Sequence, residues 1–111
     1  MPKRTISLFM NDIVESIEKI IRYKQEITFE QFVGDEKTID AVLRNLEIIG
    51  EAVKNIPDDL KNKYPSIEWK LIAGMRDKLI HSYFGIDLEI IWSTMEFLPE
   101  LLTEIKTIKF N

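Results

Sequence analysis

The apolar residues of this chain recur every three or four positions, and no stretch alternates apolar with polar residues in the manner of a strand. Ile6, Phe9, Met10, Ile13, Val14, Ile17, Ile20 and Ile21 draw one broad stripe along a first helix. Thr5 or Ser7 is the expected cap at its start, and Tyr23 and Lys24 lie near its end. Thr28 to Val33 reads as a short helical turn with Thr28 as N-cap and Gly34 as stop, and Phe29 and Phe32 are expected to fill the core. Asp35 caps a second long helix whose stripe is Ile39, Val42, Leu43, Leu46, Ile49 and Val53. Gly50 lies inside that helix, at a cost of about 1 kcal/mol against alanine, and is expected to permit a close crossing.

Pro57-Asp58-Asp59-Leu60 opens a connector or short helical turn, which ends at Tyr64-Pro65 because the residue before proline avoids the helical region. Ser66 is the expected cap of the next helix, with Ile67, Trp69, Leu71, Ile72, Met75 and Leu79 on its buried side. Phe84-Gly85-Ile86 is a turn, and Asp87 caps a last helix from about Leu88. Its inward residues are Ile91, Trp92, Met95, Leu98, Leu102 and Ile105, and Pro99 should kink it or begin a new segment. The fold class is therefore all-α, an up-and-down bundle of four to five helices. At 111 residues the whole chain, 1–111, is expected to be one domain, small enough for dimerisation to help its stability.

Composition narrows the chemistry. There is no cysteine, hence no thiolate nucleophile and no cysteine-based zinc site. No paired-histidine spacing, carboxylate cluster, glycine-rich phosphate loop or nucleophile elbow is visible, so neither a metal nor a cofactor is expected. No run of residues is long and apolar enough for a membrane span, and the acidic residues after Lys3 and Arg4 argue against a signal peptide, so the expected compartment is the cytoplasm. The net charge is −4, but its distribution is uneven. Lys61, Lys63, Lys70, Arg76 and Lys78 face only Glu68 and Asp77, which makes 61–84 the one net-positive segment. Either an anionic ligand binds there, or the five cations are simply solvated, and charge alone slightly favours the second.

That segment holds Met75-Arg76-Asp77-Lys78-Leu79-Ile80-His81-Ser82-Tyr83, with the only histidine of the chain. Asp77 and His81, four apart, share a helical face, so the carboxylate is placed to fix the imidazole tautomer. Arg76 and Tyr83, seven apart, share a neighbouring face. Arg76 and His81 are five apart and do not point at each other on a regular helix. Either the helix ends near His81, or the working pair meets across two chains. Upstream, Arg44, Glu47 and Glu51 fall at three- and four-residue steps on a polar face. They are either a surface ion-pair ladder or supports that orient Arg76 or His81.

The Arg76-x4-His81-x-Tyr83 spacing resembles the signature of HepT-like toxins, members of the HEPN superfamily of helical ribonuclease domains. Asp77 matches the polar residue expected after the arginine. Arg44 to Ala52, then Trp69 and Gly74-Met75, resemble the family's flanks. The likeness runs from about Ile6 to about Ile105. It implies a HEPN-like twofold dimer with a composite site between protomers, acting as the toxin of a type VII HEPN/MNT toxin–antitoxin system. It also implies a partner, a minimal nucleotidyltransferase antitoxin that neutralises the toxin by adenylylation of the motif tyrosine, here Tyr83.

The residues themselves suit metal-free cleavage of RNA, whose 2′-hydroxyl is a built-in nucleophile. Histidine moves the protons, and the arginine fork holds phosphate oxygens. Arg76 and His81 are the expected catalytic pair, with Asp77 and Tyr83 in support. One histidine per chain, against a reaction that uses an acid and a base, also points to a homodimer. The alternative is a non-catalytic helical module that docks a nucleotidyltransferase partner or a nucleotide.

Overall fold

The computed structural model describes residues 3–75, 77 and 87–109. Among them every regular element is helical. Helix α1 (Lys3–Gln25) is the longest. It starts upstream of both expected caps, so Thr5 and Ser7 lie inside it. It buries Met10, Ile13, Ile17 and Ile20, with Ile6, Phe9, Val14 and Ile21 half-buried beside them. These are the two edges and the centre of the predicted stripe.

Helix α2 (Phe29–Val33) owes its sharp start to a capping box. The Gln31 N–H donates to Thr28 Oγ1 at 3.2 Å, and the Thr28 N–H donates to Gln31 Oε1 at 2.9 Å. Two donors that the helix itself leaves unpaired are satisfied in one exchange. Phe32 is fully buried, while Phe29 packs edge-on against Trp92 with ring centroids 5.7 Å apart. Gly34 ends the helix with φ near −90°, a conformation open to any residue.

Helix α3 (Glu36–Lys54) begins at Asp35, as the sequence suggests. The carboxylate accepts from the Thr38 N–H at 3.0 Å and from the Thr38 hydroxyl at 2.6 Å. These bonds to the charged form hold the Asp35 carboxyl below its ordinary pKa. Ile39, Val42, Leu46, Ile49 and Val53 face inward with Gly50 and Ala52, and Leu43 is half-buried. Asn45 is the polar exception, and it donates to the Ala41 carbonyl at 2.8 Å. Helix α1 packs along α3, and α2 closes against α3.

Helix α4 (Asp58–Lys61) is a single turn whose first carbonyl is that of Pro57, and its Leu60 is buried. Residues 69–75 form α5, and Asp77 is also helical. The last helix, α6 (Leu88–Ile105), is capped by Asp87, whose carboxylate accepts from the Ile90 N–H at 3.2 Å. It packs back on α1. Its buried residues are Ile91, Met95, Leu98, Leu101 and Ile105, with Trp92 and Leu102 only half-buried. Leu101 thus takes a deeper place than the expected Leu102.

Pro99 does not begin a new segment, because α6 runs through it. The proline ring is exposed, and the buried Met95, Leu98, Leu101 and Ile105 hold both sides of it against the core. Burial of four large side chains, each worth about 1.5–3 kcal/mol, outweighs the roughly 3 kcal/mol that an interior proline costs. No described helix is long and apolar enough to cross a membrane.

Candidate functional site

The approach to the motif is built by the turn between α4 and α5. The Tyr64 N–H donates to the Lys61 carbonyl at 3.0 Å, and the Ile67 N–H to the Tyr64 carbonyl at 3.1 Å. The Trp69 indole N–H then reaches the same two carbonyls, at 3.2 Å for Lys61 and 3.1 Å for Tyr64. The ring is buried at 8% exposure, and Ile67 beneath the turn is buried too. Ser66 does not cap α5. It sits inside the turn, and the first carbonyl of the helix is that of Glu68, which accepts from the Ile72 N–H at 3.1 Å. Two tight bonds at Tyr64 and Ile67 delay the helix past the serine.

Within α5, Ile72 and Met75 face the core as expected. Leu71 does not: it is 51% exposed. It lines a groove of about 470 Å³ between α5 and the first half of α6, together with Met75, Ile90 and Phe97. Asp87, Glu89, Ser93 and Thr94 form the polar margin of that groove. Ile90 adds a second large exposed apolar side chain at 36%. Asp77 is exposed. Arg76, Leu79, His81 and Tyr83 lie outside the described residues, as do Lys78 and the turn expected at Phe84 to Ile86.

The three polar residues of α3 come together with α1. Arg44, Glu47 and Glu51 line a second groove, of about 320 Å³, floored by Phe9, Ile48 and Ala52 and margined by Asp12 and Asn55. Glu51 also pairs with Lys54 at 3.8 Å, but both side chains are exposed, so this bridge adds little. The helical spacing correctly predicted one shared face. The presence of Asp12 from α1 on the same groove was not predictable from α3 alone.

Of the basic segment, Lys63 and Lys70 are exposed and Lys61 is half-buried. Sequence reasoning treated Trp69 as a core residue and missed its hydrogen bonds. The available signal was the paired Pro65 and Trp69: a forced break in the backbone, followed at once by a buried donor that needs an acceptor.

Comparison with known proteins gives the family of this helical chain. The chain belongs to the HepT-like ribonuclease family, whose model it matches over residues 13–108. It is 50% identical over 109 residues to a Methanocaldococcus jannaschii protein named "Putative RNase MJ0127", covering 97% of this chain and 90% of that one. It is 52% identical over 100 residues to a Thermococcus cleftensis protein named "Probable ribonuclease HepT", covering 89% and 91% of the two chains. A two-part M. jannaschii protein, named "Gamma-glutamylcyclotransferase and putative RNase MJ0434", is 42% identical over 104 residues, which span 93% of this chain and 47% of that one. No solved structure matches the chain.

Proposed function

We propose that the protein is a metal-independent endoribonuclease and the toxin of a toxin–antitoxin pair. The observation that carries this reading is the family match, which spans the Arg76-x4-His81-x-Tyr83 run. The exposed Lys63 and Lys70 support it, because they add positive charge just upstream of that run.

In the proposed reaction, Arg76 grips two non-bridging oxygens of the scissile phosphate and offsets the charge that grows on them. A neutral His81 takes the proton from the 2′-hydroxyl as that oxygen attacks phosphorus. The bond to the 5′-oxygen breaks, and a protonated His81 from a second copy delivers a proton to the leaving oxygen. The products are a 2′,3′-cyclic phosphate and a 5′-hydroxyl. Asp77 holds the imidazole tautomer, and Arg44, Glu47 and Glu51 support the site from α3.

The second copy is proposed to pair through the α5–α6 groove. Support comes from Leu71 and Ile90, large apolar side chains left in water beside the motif helix. A twofold arrangement brings the same surface of each copy together and places two motif runs in one cleft. A nucleotidyltransferase partner is proposed to silence the enzyme by transferring AMP to the Tyr83 phenol, which adds phosphate charge where RNA phosphate must bind.

The deciding experiment is an RNA cleavage assay with the purified protein, with and without EDTA. His81→Ala and Arg76→Ala are each expected to lose at least about 100-fold in rate, the usual size of an acid–base contribution. Cleavage is expected to persist in EDTA. Wild-type rates in His81→Ala would refute the mechanism, and activity restored only by magnesium would refute metal independence.

A further inference from the structure

We infer that Trp69 is a positioning residue for the cleavage site, acting as a clamp that sets the rotation of the motif helix; the inference rests on the ribonuclease reading above. Its indole N–H donates to two carbonyls at once, those of Tyr64 and Lys61. Neither carbonyl needs it. Tyr64 O already accepts from the Ile67 N–H, and Lys61 O already accepts from the Tyr64 N–H. A carbonyl has two lone pairs, so the indole fills the second site on each. The bonds therefore satisfy the buried indole N–H but rescue no orphaned carbonyl. What they add is a tie from the first residue of α5 back across the turn to the end of α4.

The backbone alone ties that point loosely. The Trp69 N–H donates to the Ile67 carbonyl, two residues back, at 2.9 Å, and the helical ladder among the described residues starts with Ile72 to Glu68. The turn is also held from its other side. The Tyr64 hydroxyl accepts from the Lys109 N–H at 2.8 Å, which joins it to the chain beyond α6. Trp69 thus connects α5 to a turn that is fastened both to α4 and to the far end of the bundle.

The spacing makes this clamp matter for chemistry. Trp69 and Arg76 are seven residues apart, a step that drifts only about 20° around a helix. The described helix runs without a break from Trp69 to Met75, so an error in the rotation of α5 at Trp69 is carried to the last residue before the arginine. At a side-chain radius of about 6 Å, a rotation of about 10° displaces a group by about 1 Å. A displacement of that size is enough to cost on the order of 100-fold in rate.

The test is Trp69→Phe, which keeps an aromatic ring and removes the donor. Trp92→Phe on α6 is the matched control. That ring packs on Phe29 and on Phe32, with centroids 5.7 and 5.3 Å away, and Lys24 lies 4.8 Å above it, so the loss is structural and falls where α6 meets α2 and the end of α1. Three quantities are measured: kcat and KM for RNA cleavage, the melting temperature, and amide exchange of residues 70–75. Trp69→Phe is expected to lower kcat at least tenfold while KM moves less than threefold, because the exposed lysines still gather the substrate. Exchange at 70–75 is expected to rise with protection elsewhere intact. Trp92→Phe is expected to lower the melting temperature while kcat stays within twofold.

Wild-type kcat and wild-type exchange in Trp69→Phe overturn the clamp, and so does an equal kcat loss in Trp92→Phe. If Trp69→Phe does not fold, exchange of the indole N–H itself is followed in the wild-type protein. Protection as strong as that of the amides of 70–75 supports the clamp, and exchange at the rate of a free indole overturns it. If the wild-type protein cleaves no RNA, the ribonuclease reading fails, and the exchange result alone still decides whether Trp69 anchors α5.

Discussion

Leu71→Ala is the perturbation that best separates the proposed dimer from the fold of one chain. Leu71 is 51% exposed, so half of its side chain is already buried within its own subunit. Full burial of a leucine is worth about 1.5–3 kcal/mol, which leaves about 1 kcal/mol per copy to be gained on pairing. A twofold interface contains the residue twice, so the truncation is expected to weaken the dimer by about 2 kcal/mol. That corresponds to a dissociation constant about 30 times larger. Sedimentation velocity over a range of micromolar concentrations measures it. RNA cleavage per chain, followed over the same range, is expected to fall in step with the dimer fraction and to recover at high protein concentration. An unchanged dissociation constant would refute the assignment of this groove. Full activity in a strictly monomeric protein would refute the composite site altogether.

Gly74→Ala is expected to stabilise the fold by about 1 kcal/mol, because the glycine is inside α5 and a Cβ there meets nothing within 4 Å. For a chain of this length the melting temperature should rise by about 4 °C, and a fall would reveal a neighbour that the structure does not contain. Asp35 gives a pH signature. Its folded pKa is lowered, so its cap contributes fully above the unfolded value near 4 and is lost as pH falls through the folded value. The difference in melting temperature between wild type and Asp35→Asn should therefore be constant at neutral pH and shrink below about pH 4; a difference that persists to about pH 2 would contradict the charge-based cap. Tyr83→Phe is expected to keep much of the cleavage activity while escaping adenylylation on co-expression with a nucleotidyltransferase partner. Mass spectrometry that maps the adduct to Tyr23 or Tyr64 in the wild-type protein would overturn the assignment.

The elements that sequence reasoning located well are those whose ends carry their own chemistry. Thr28 with Gln31, Asp35 with Thr38, and Asp87 with the Ile90 N–H each satisfy helical donors from residues adjacent in sequence, so local pattern suffices. The start of α1 carries no such mark, and the expected caps at Thr5 and Ser7 fall inside the helix. Leu71 and Leu101 were misread for a different reason. An apolar stripe spans about 100° of a helix, and a residue at its edge is buried or exposed according to what lies opposite. For α5 the opposite surface is the first half of α6, which leaves a groove where a core was expected. The same limit applies to the supports of the site. Arg44, Glu47 and Glu51 were legible as one face because helical spacing is local, whereas Asp12 joins them only through the packing of α1 on α3. Trp69 was legible as buried, but its role depends on carbonyls five and eight residues away in a turn whose path only the structure supplies.

The charge layout shows how an acidic chain can still meet a polyanion. The net charge is −4, and residues 31–60 alone account for as much. At physiological ionic strength the Debye length is about 8 Å, so carboxylates on distant helix faces are largely screened from a phosphate held elsewhere. Contact distances are screened far less. What an RNA strand meets near the motif is therefore set by the local segment 61–84, where cations exceed carboxylates by three. Of these, Lys63 stands exposed within the turn that Trp69 clamps, and Lys70 stands exposed just after it. The clamp thus holds in one place the two things the proposed chemistry requires: the cations that gather the strand and the start of the helix that leads, in sequence, to Arg76. An acidic remainder then has a use of its own, since it discourages RNA from settling on any other face.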